Sequence, residues 1–276
     1  MRAVLWLCIL SAVESTEPLQ DTWEKEGGVE LVYRLLSPPR AECSTRAVEV
    51  LKRRLDRSGF KQVHVDPLEG ERIRVRIGGI KADELKKIKE LSRFIGKLEL
   101  RAVASKEIHE KWREDTNAAV PEGFQLMVHE ESVGGDYAYI GEKGVLVAKT
   151  PIVTEREIAL AAPQQSEFDR WAVAFELTED GARRFDEAAQ ELFQQNPRGM
   201  IAIILDGRIQ SMPIVQSERF GGKGQITGSF DKAAATDLAL VLRSGALPCP
   251  IGSLDDKGNP VPGVPESERY VGPSGK

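Results

Sequence analysis

Three histidines, His64, His109 and His129, are the first candidates for chemistry in this chain of 276 residues. They are too far apart to make a local metal motif, and His109-Glu110 lacks the second histidine of a zinc-protease helix. A metal site would have to be built across the fold. Gly221-Gly222-Lys223-Gly224 suggests a loop whose amides cradle phosphate. The motif that does this follows its lysine with serine or threonine, whereas glycine follows Lys223. A flexible link is the simpler reading, since glycine supplies backbone freedom. Asp206 could be a catalytic carboxylate, yet it precedes Gly207 between two apolar runs, the pattern of a tight hairpin turn. Arg72, Arg74 and Arg76 alternate along one stretch and could grip phosphate or an acidic partner; alternating strands ordinarily turn such charge to solvent. Cys8, Cys43 and Cys249 are an odd, scattered set with neither zinc spacing nor a disulfide framework. A Cys43–Cys249 bridge requires the two ends of the fold to meet. No nucleophile–base pair is readable, so no catalytic, cofactor-binding or metal-binding residue is assigned.

Composition narrows the classes further. A net charge of −5, with 41% hydrophobic and 29% charged residues, is ordinary for a globular protein and lacks the basic surplus of a nucleic-acid binder. The length suits one large domain or two small ones. Near the start, residues 3–10 form an apolar run behind Arg2, well short of the ~20 residues that span a bilayer. That run fits a signal-peptide core, a short buried segment, or the remnant of a membrane helix.

Periodicity supplies the elements that must position these residues. Val29, Leu31, Tyr33 and Leu35 alternate as a half-buried strand does. Pro38-Pro39 opens a helix whose inward stripe is Ala47, Val48, Leu51 and Leu55, closed by Gly59. Residues 61–65 and 72–77 alternate as two strands around a turn at 67–70. A helix over 83–95 turns Leu85, Ile88, Leu91 and Ile95 inward, and 97–101 is a closing strand. The order β-α-β-β-α-β predicts an α+β fold with a ferredoxin-like base, an antiparallel sheet with two helices on one face.

The pattern weakens over 105–170. Residues 107–115 form a charged helical stretch, and glycines bracket short strands at 137–140 and 145–149. Thr154-Glu155-Arg156-Glu157 is a capping box that opens a short helix through Ala161, ended by Pro163. This stretch is read as an inserted α+β head subdomain. Beyond it, 171–177 is an apolar strand and Thr178 caps a helix with Glu179 and Asp180 in its first turn. The uncharged run 200–205 predicts a strand buried on both faces, and Asp206-Gly207 turns it into a hairpin with 208–212. A last helix starts near Ser229 or Asp231, buries Ala234, Leu238, Val241 and Leu242, and stops at Gly245. Strand, helix, two strands, helix and strand recur in this order, so the chain reads as two related α+β units. From Gly252 onward, proline and glycine predict a linker without a packed core.

Four phrases carry a family resemblance: FELTEDGARRF from Phe175, IAIILDGRIQSMPIV from Ile201, ITGSF from Ile226 and DLALVLRSGALPCPI from Asp237. In this order they resemble the periplasmic P1 region of the SecD family of Sec protein-export subunits. The run from Arg54 to Gly59 is similar to that family's RVDxxG phrase, and 97–101 resembles its LEFR phrase. Trp23-Glu24-Lys25-Glu26 departs from the family's lead-in, and Gly78-Gly79 stands where the family has Pro-Gly. The resemblance covers roughly residues 27–274.

That resemblance implies an organisation and a role. It implies an N-terminal apolar segment at 1–23 and the first half of the ferredoxin-like P1 base at 24–104. A head subdomain would follow at 105–222, a return to the base at 223–251, and a linker toward a further membrane helix at 252–276. The implied function is binding of unfolded, translocating preprotein on the periplasmic side of the inner membrane. Conformational change would assist export, with proton-motive force spent in membrane helices elsewhere. Hinges are expected near Ser105 and Gly221. Implied partners are SecF and the SecYEG channel; no enzyme activity, cofactor or nucleic acid is implied, and the preprotein contacts stay unassigned. The residues alone leave open a cell-envelope enzyme or a stand-alone binding module on a ferredoxin-like scaffold. The enzyme would require a deep pocket with convergent polar groups of shifted pKa.

Overall fold

Strict alternation gives the first strand, β1 (Gly28–Leu35), one buried face: Val29, Leu31, Tyr33 and Leu35 are inside and their neighbours half-buried. The computed structural model describes residues 27–36, 43–60, 62–80, 82–114, 119–128, 140, 144–165 and 170–271. β1 lies antiparallel to β3 (Arg72–Gly78), and β3 antiparallel to β2 (Val63–Leu68). On its other edge β1 takes late segments of the chain. Its first half pairs with β15 (Ser267–Val271) and its end with β13 (Ile251–Leu254), which pairs in turn with β14 (Pro260–Pro262). Helices α1 (Cys43–Arg57) and α2 (Ala82–Arg93) pack their apolar stripes on this sheet, joined by Leu247, Cys249 and Ile251.

A second core lies between two other sheets. One runs β11 (Arg208–Ser211), β10 (Ile201–Leu205), β4 (Leu98–Ala102), β7 (Val153–Thr154). The other runs β12 (Lys223–Phe230), β9 (Trp171–Leu177), β8 (Ile158–Gln165). Helices α4 (Glu179–Phe193) and α5 (Lys232–Ser244) contribute Phe185, Ala189, Leu192 and Ala235, Leu238, Ala239, Leu242 to it. Both start on side-chain caps: Thr178 Oγ1 accepts from Gly181 N at 3.3 Å, and Asp231 from Ala234 N at 2.7 Å. β10 is buried on both faces, as its lack of charge predicts. Ile201, Ile203 and Leu205 face the second core. Met200, Ala202 and Ile204 face a third cluster under the hairpin of β5 (Phe124–Met127) and β6 (Val145–Ala148). Helix α3 (Lys106–Glu114) lies beside that hairpin through its buried His109.

Several expectations change. The strand at 97–101 does not close the first sheet; it is β4, paired with β10 and β7 in the second core. Leu98, Glu99, Leu100 and Arg101 are all buried, and an edge position on a one-sided sheet would cover only alternate residues. The edge beside β1 goes instead to β13 and β15, so the stretch expected as linker from Gly252 onward carries strands of the first sheet, with turns between them. Pro260 and Pro262 are tolerated there because β14 is an edge strand. The capping box at Thr154 forms, but it starts a single 3-10 turn, Glu155–Glu157, and not a helix through Ala161. Strand β8 follows, with Pro163 within it on a sheet edge. Residues 223–244, expected to return to the base, pack in the second core. The two halves are not repeats, since β9 and β10 sit in different sheets. The N-terminal segment at 1–23 and the strand at 137–139 lie outside the described residues. Among the described residues no helix is long and apolar enough to cross a membrane.

Candidate functional site

The chain crosses between the two cores at 94–97, from α2 to β4, and again at 245–250, from α5 to β13. Arg54 sits on the inward stripe of α1, with no exposed surface, and reaches both crossings. Its Nη1 donates to the carbonyls of Leu91 (3.1 Å) and Phe94, and its Nη2 to those of Ile95 (2.7 Å) and Gly245 (3.0 Å). These carbonyls belong to the C-terminal ends of α2 and α5, where helices leave acceptors unsatisfied and carry partial negative charge. One guanidinium thus satisfies two helix ends. Burial lowers the Arg54 pKa to about 10, partly offset by the Asp206 carboxylate, so the group stays charged at neutral pH.

Asp206 takes the same connector from its amide side. Its carboxylate accepts from Ile95 N (3.1 Å), Gly96 N (2.8 Å) and Lys97 N (2.8 Å), and its own amide donates to Lys97 O at 2.9 Å. Its φ of 50° and the 80° of Gly207 are those of a tight hairpin turn, as the dipeptide predicts. Burial pushes the carboxyl above its ordinary pKa, opposed by the three amides and Arg54. Leu247 N donates to Ile95 O at 2.8 Å, which ties the two crossings together. A small apolar cluster of Leu91, Leu240 and Val241, with Phe60 and Phe94 against it, fills the joint. Sequence reasoning saw only the turn in Asp206 and missed Arg54. The signal was there: position 54 follows Ala47, Val50 and Leu51 at helical spacing, so an arginine there points inward.

The other candidates are structural. Asp66 pairs across the sheet with Arg74 (3.4 Å) and Arg76 (2.9 Å), so the arginine stripe is a partly paired sheet face. The loop at Gly221 offers no open anion cradle, because Asp186 already accepts from Phe220 N (2.8 Å) and Gly221 N (3.2 Å), and Lys223 pairs with Glu176. Ser105 and Gly221, the expected hinges, lie away from both crossings between the cores. His64 stands opposite Arg76 in the first sheet, and His129 lies outside the described residues. His109 is buried: Nδ1 faces the carbonyls of Ala104 (3.1 Å) and Ser105, and Nε2 accepts from Leu146 N at 2.9 Å. Burial lowers its pKa. Among the described residues no cluster of His, Cys, Asp and Glu is placed to hold a metal.

One open groove of about 500 Å³ runs over the outer face of the β12–β9–β8 sheet. Leu160, 58% exposed, lies beside Ala162, Gln164, Glu176, Lys223 and Gln225. Its polar groups pair with one another: Gln225 Nε2 donates to Gln164 Oε1 at 3.1 Å, and Lys223 lies 3.4 Å from Glu176. They do not converge on a space where a reacting atom could sit.

Comparison with known proteins points one way. The family model described as "SecDF, P1 head subdomain" matches residues 131–249. The chain is 32% identical to the protein translocase subunit SecD of Magnetococcus marinus over 218 residues, 77% of this chain and 38% of that protein. Against the SecD of Acetobacter pasteurianus it is 31% identical over 223 residues, 78% of this chain and 38% of that protein. It therefore spans well under half the length of these relatives. The fold is similar to a crystal structure of SecDF in a super-membrane-facing form, with TM-score 0.65 and 23% identity over 91% of this chain and 31% of that one. A second solved structure, of a SecDF membrane component that enhances protein export, gives TM-score 0.60 and 24% identity over 80% of this chain and 96% of that one.

Proposed function

This chain belongs to the SecD family through its P1 region, and on that premise we propose that it holds unfolded preprotein during export and moves one lobe against the other. The base is the first sheet with α1 and α2. Its antiparallel order β13-β1-β3-β2 supports a ferredoxin-like reading in which β13 takes the place of the last strand. The head comprises the second and third cores, from β4 to the end of α5.

The observation that carries this reading is the joint. Two separately packed cores meet at two crossings that one arginine and one aspartate hold. Such a joint sets an angle between bodies and does no covalent chemistry, which suits a non-catalytic export component whose energy comes from the proton-motive force elsewhere. The protein would act on the periplasmic side of the inner membrane with SecF and the SecYEG channel. The groove over β8 and β9 suits a passing chain: its small and mixed-polar side chains make few demands on sequence, and an edge strand offers backbone groups.

A photo-crosslinker placed at Leu160 tests the proposal. It should capture a reduced, unfolded secretory precursor and not the same precursor folded. Equal capture of both forms, or of neither by the folded protein, contradicts it.

A further inference from the structure

Cys43 and Cys249 are far apart in sequence and adjacent in space. Cys43 opens α1 and Cys249 stands just before β13; both belong to the first core, 8% and 4% exposed. The return strand brings them together: Leu36 N donates to Pro250 O at 2.9 Å, and Leu35 pairs with Ile251. The two thiols are neighbours in that core, and the Cys43 side chain acts directly on the Cys249 thiol. Both are free thiols in this structure.

We propose that Cys43 and Cys249 form a structural disulfide that staples the start of α1 to the segment returning from the head. Each thiol gives up its proton and one S–S bond forms. Two electrons pass to a disulfide oxidant, such as glutathione disulfide, which leaves as two thiols. The bridge closes residues 43–249 into one loop and anchors the base end of the crossing at 245–250, while the crossing at 94–97 stays free of it. Burial and the neighbouring Cys43 raise the Cys249 thiol to about 11, so little thiolate is present once the protein has folded. Both side chains are closed off from a disulfide oxidant in the folded core, so oxidation belongs to folding, before the core closes over the pair.

The proposal rests on the contact between the thiols and not on the translocase reading, and its failure leaves that reading untouched. The test uses the whole chain carrying Cys8→Ser. It is unfolded with reductant, refolded in a glutathione redox buffer, quenched with acid, alkylated and mapped by mass spectrometry. One disulfide joining the peptides that contain Cys43 and Cys249 is expected. The oxidised form should melt at least about 5 °C above the reduced form, a difference that Cys249→Ser abolishes. Recovery of both cysteines as free thiols or as glutathione adducts in the refolded protein would overturn the proposal. Equal melting of the bridged and reduced forms would overturn its stapling role.

Discussion

Arg54 and Asp206 grip opposite sides of one connector: the guanidinium takes the carbonyls of Phe94 and Ile95, and the carboxylate takes the amides of Ile95, Gly96 and Lys97. Arg54 comes from the base and Asp206 from the head, so the segment that passes between the lobes is fixed from both. Arg54→Met leaves buried carbonyls without donors and Asp206 without its compensating charge. We expect a loss of about 3 kcal/mol. Asp206→Asn keeps the turn and an acceptor, and should cost about 1–2 kcal/mol. Because both act on one connector, the double variant should lose less than the sum of the two. Additive losses in urea denaturation would show two independent supports.

Gly96 sits in the connector with a φ of 82°. A Cβ there would lie 2.5 Å from Val241 Cγ1 and 2.9 Å from Arg54 Nη2. Gly59 has a similar φ of 86°, and a Cβ at that position would meet nothing within 4 Å. Gly59→Ala therefore measures backbone strain alone, about 1 kcal/mol, and Gly96→Ala adds the clash, about 1–3 kcal/mol more. Equal shifts in the unfolding midpoint would mean that the joint has slack.

His109 gives the head an acid sensitivity. Its Nε2 accepts from Leu146 N, so the fold needs the neutral ring, and burial holds its pKa below the ordinary value. Above about pH 6.5 the ring is neutral in both folded and unfolded chains, and the contribution is complete. As pH falls below that value the unfolded chain takes up the proton first, so stability drops until the folded pKa is reached. His109→Gln should flatten this part of the stability–pH curve. An unchanged slope in the variant would assign the effect to other groups.

Leu160 is exposed on the groove and contributes little to packing. Leu160→Glu should change stability by no more than about 0.5 kcal/mol. It should weaken binding of a fluorescent unfolded polypeptide several-fold by anisotropy. Unaltered affinity would move the binding surface elsewhere.

Local elements were legible because their signals are local. Alternation placed β1, absence of charge placed β10, Thr178 marked one helix start, the choice of Ser229 or Asp231 bracketed another that falls on Asp231, and Asp206-Gly207 marked the hairpin. Assignment of strands to sheets was not legible. The β-α-β-β-α-β order made 97–101 look like the last strand of the base, while the strand in that position lies some way down the chain at β13. Only the burial of both faces of β4, a non-local fact, separates the alternatives. The joint was half legible. An arginine at an inward helical position is a sequence signal, but its targets, the ends of α2 and α5, become neighbours only in the folded chain.

On the proposed function, two lobes share a pinned joint whose angle responds to a bound polypeptide. Spin labels on non-canonical residues at Glu49 on α1 and Gln190 on α4, both exposed, report the distance between the lobes by pulsed EPR. The free protein should show one narrow distance. Saturating unfolded polypeptide, and separately Arg54→Met, should each add a second population. A single unchanged distance in all three samples would contradict it.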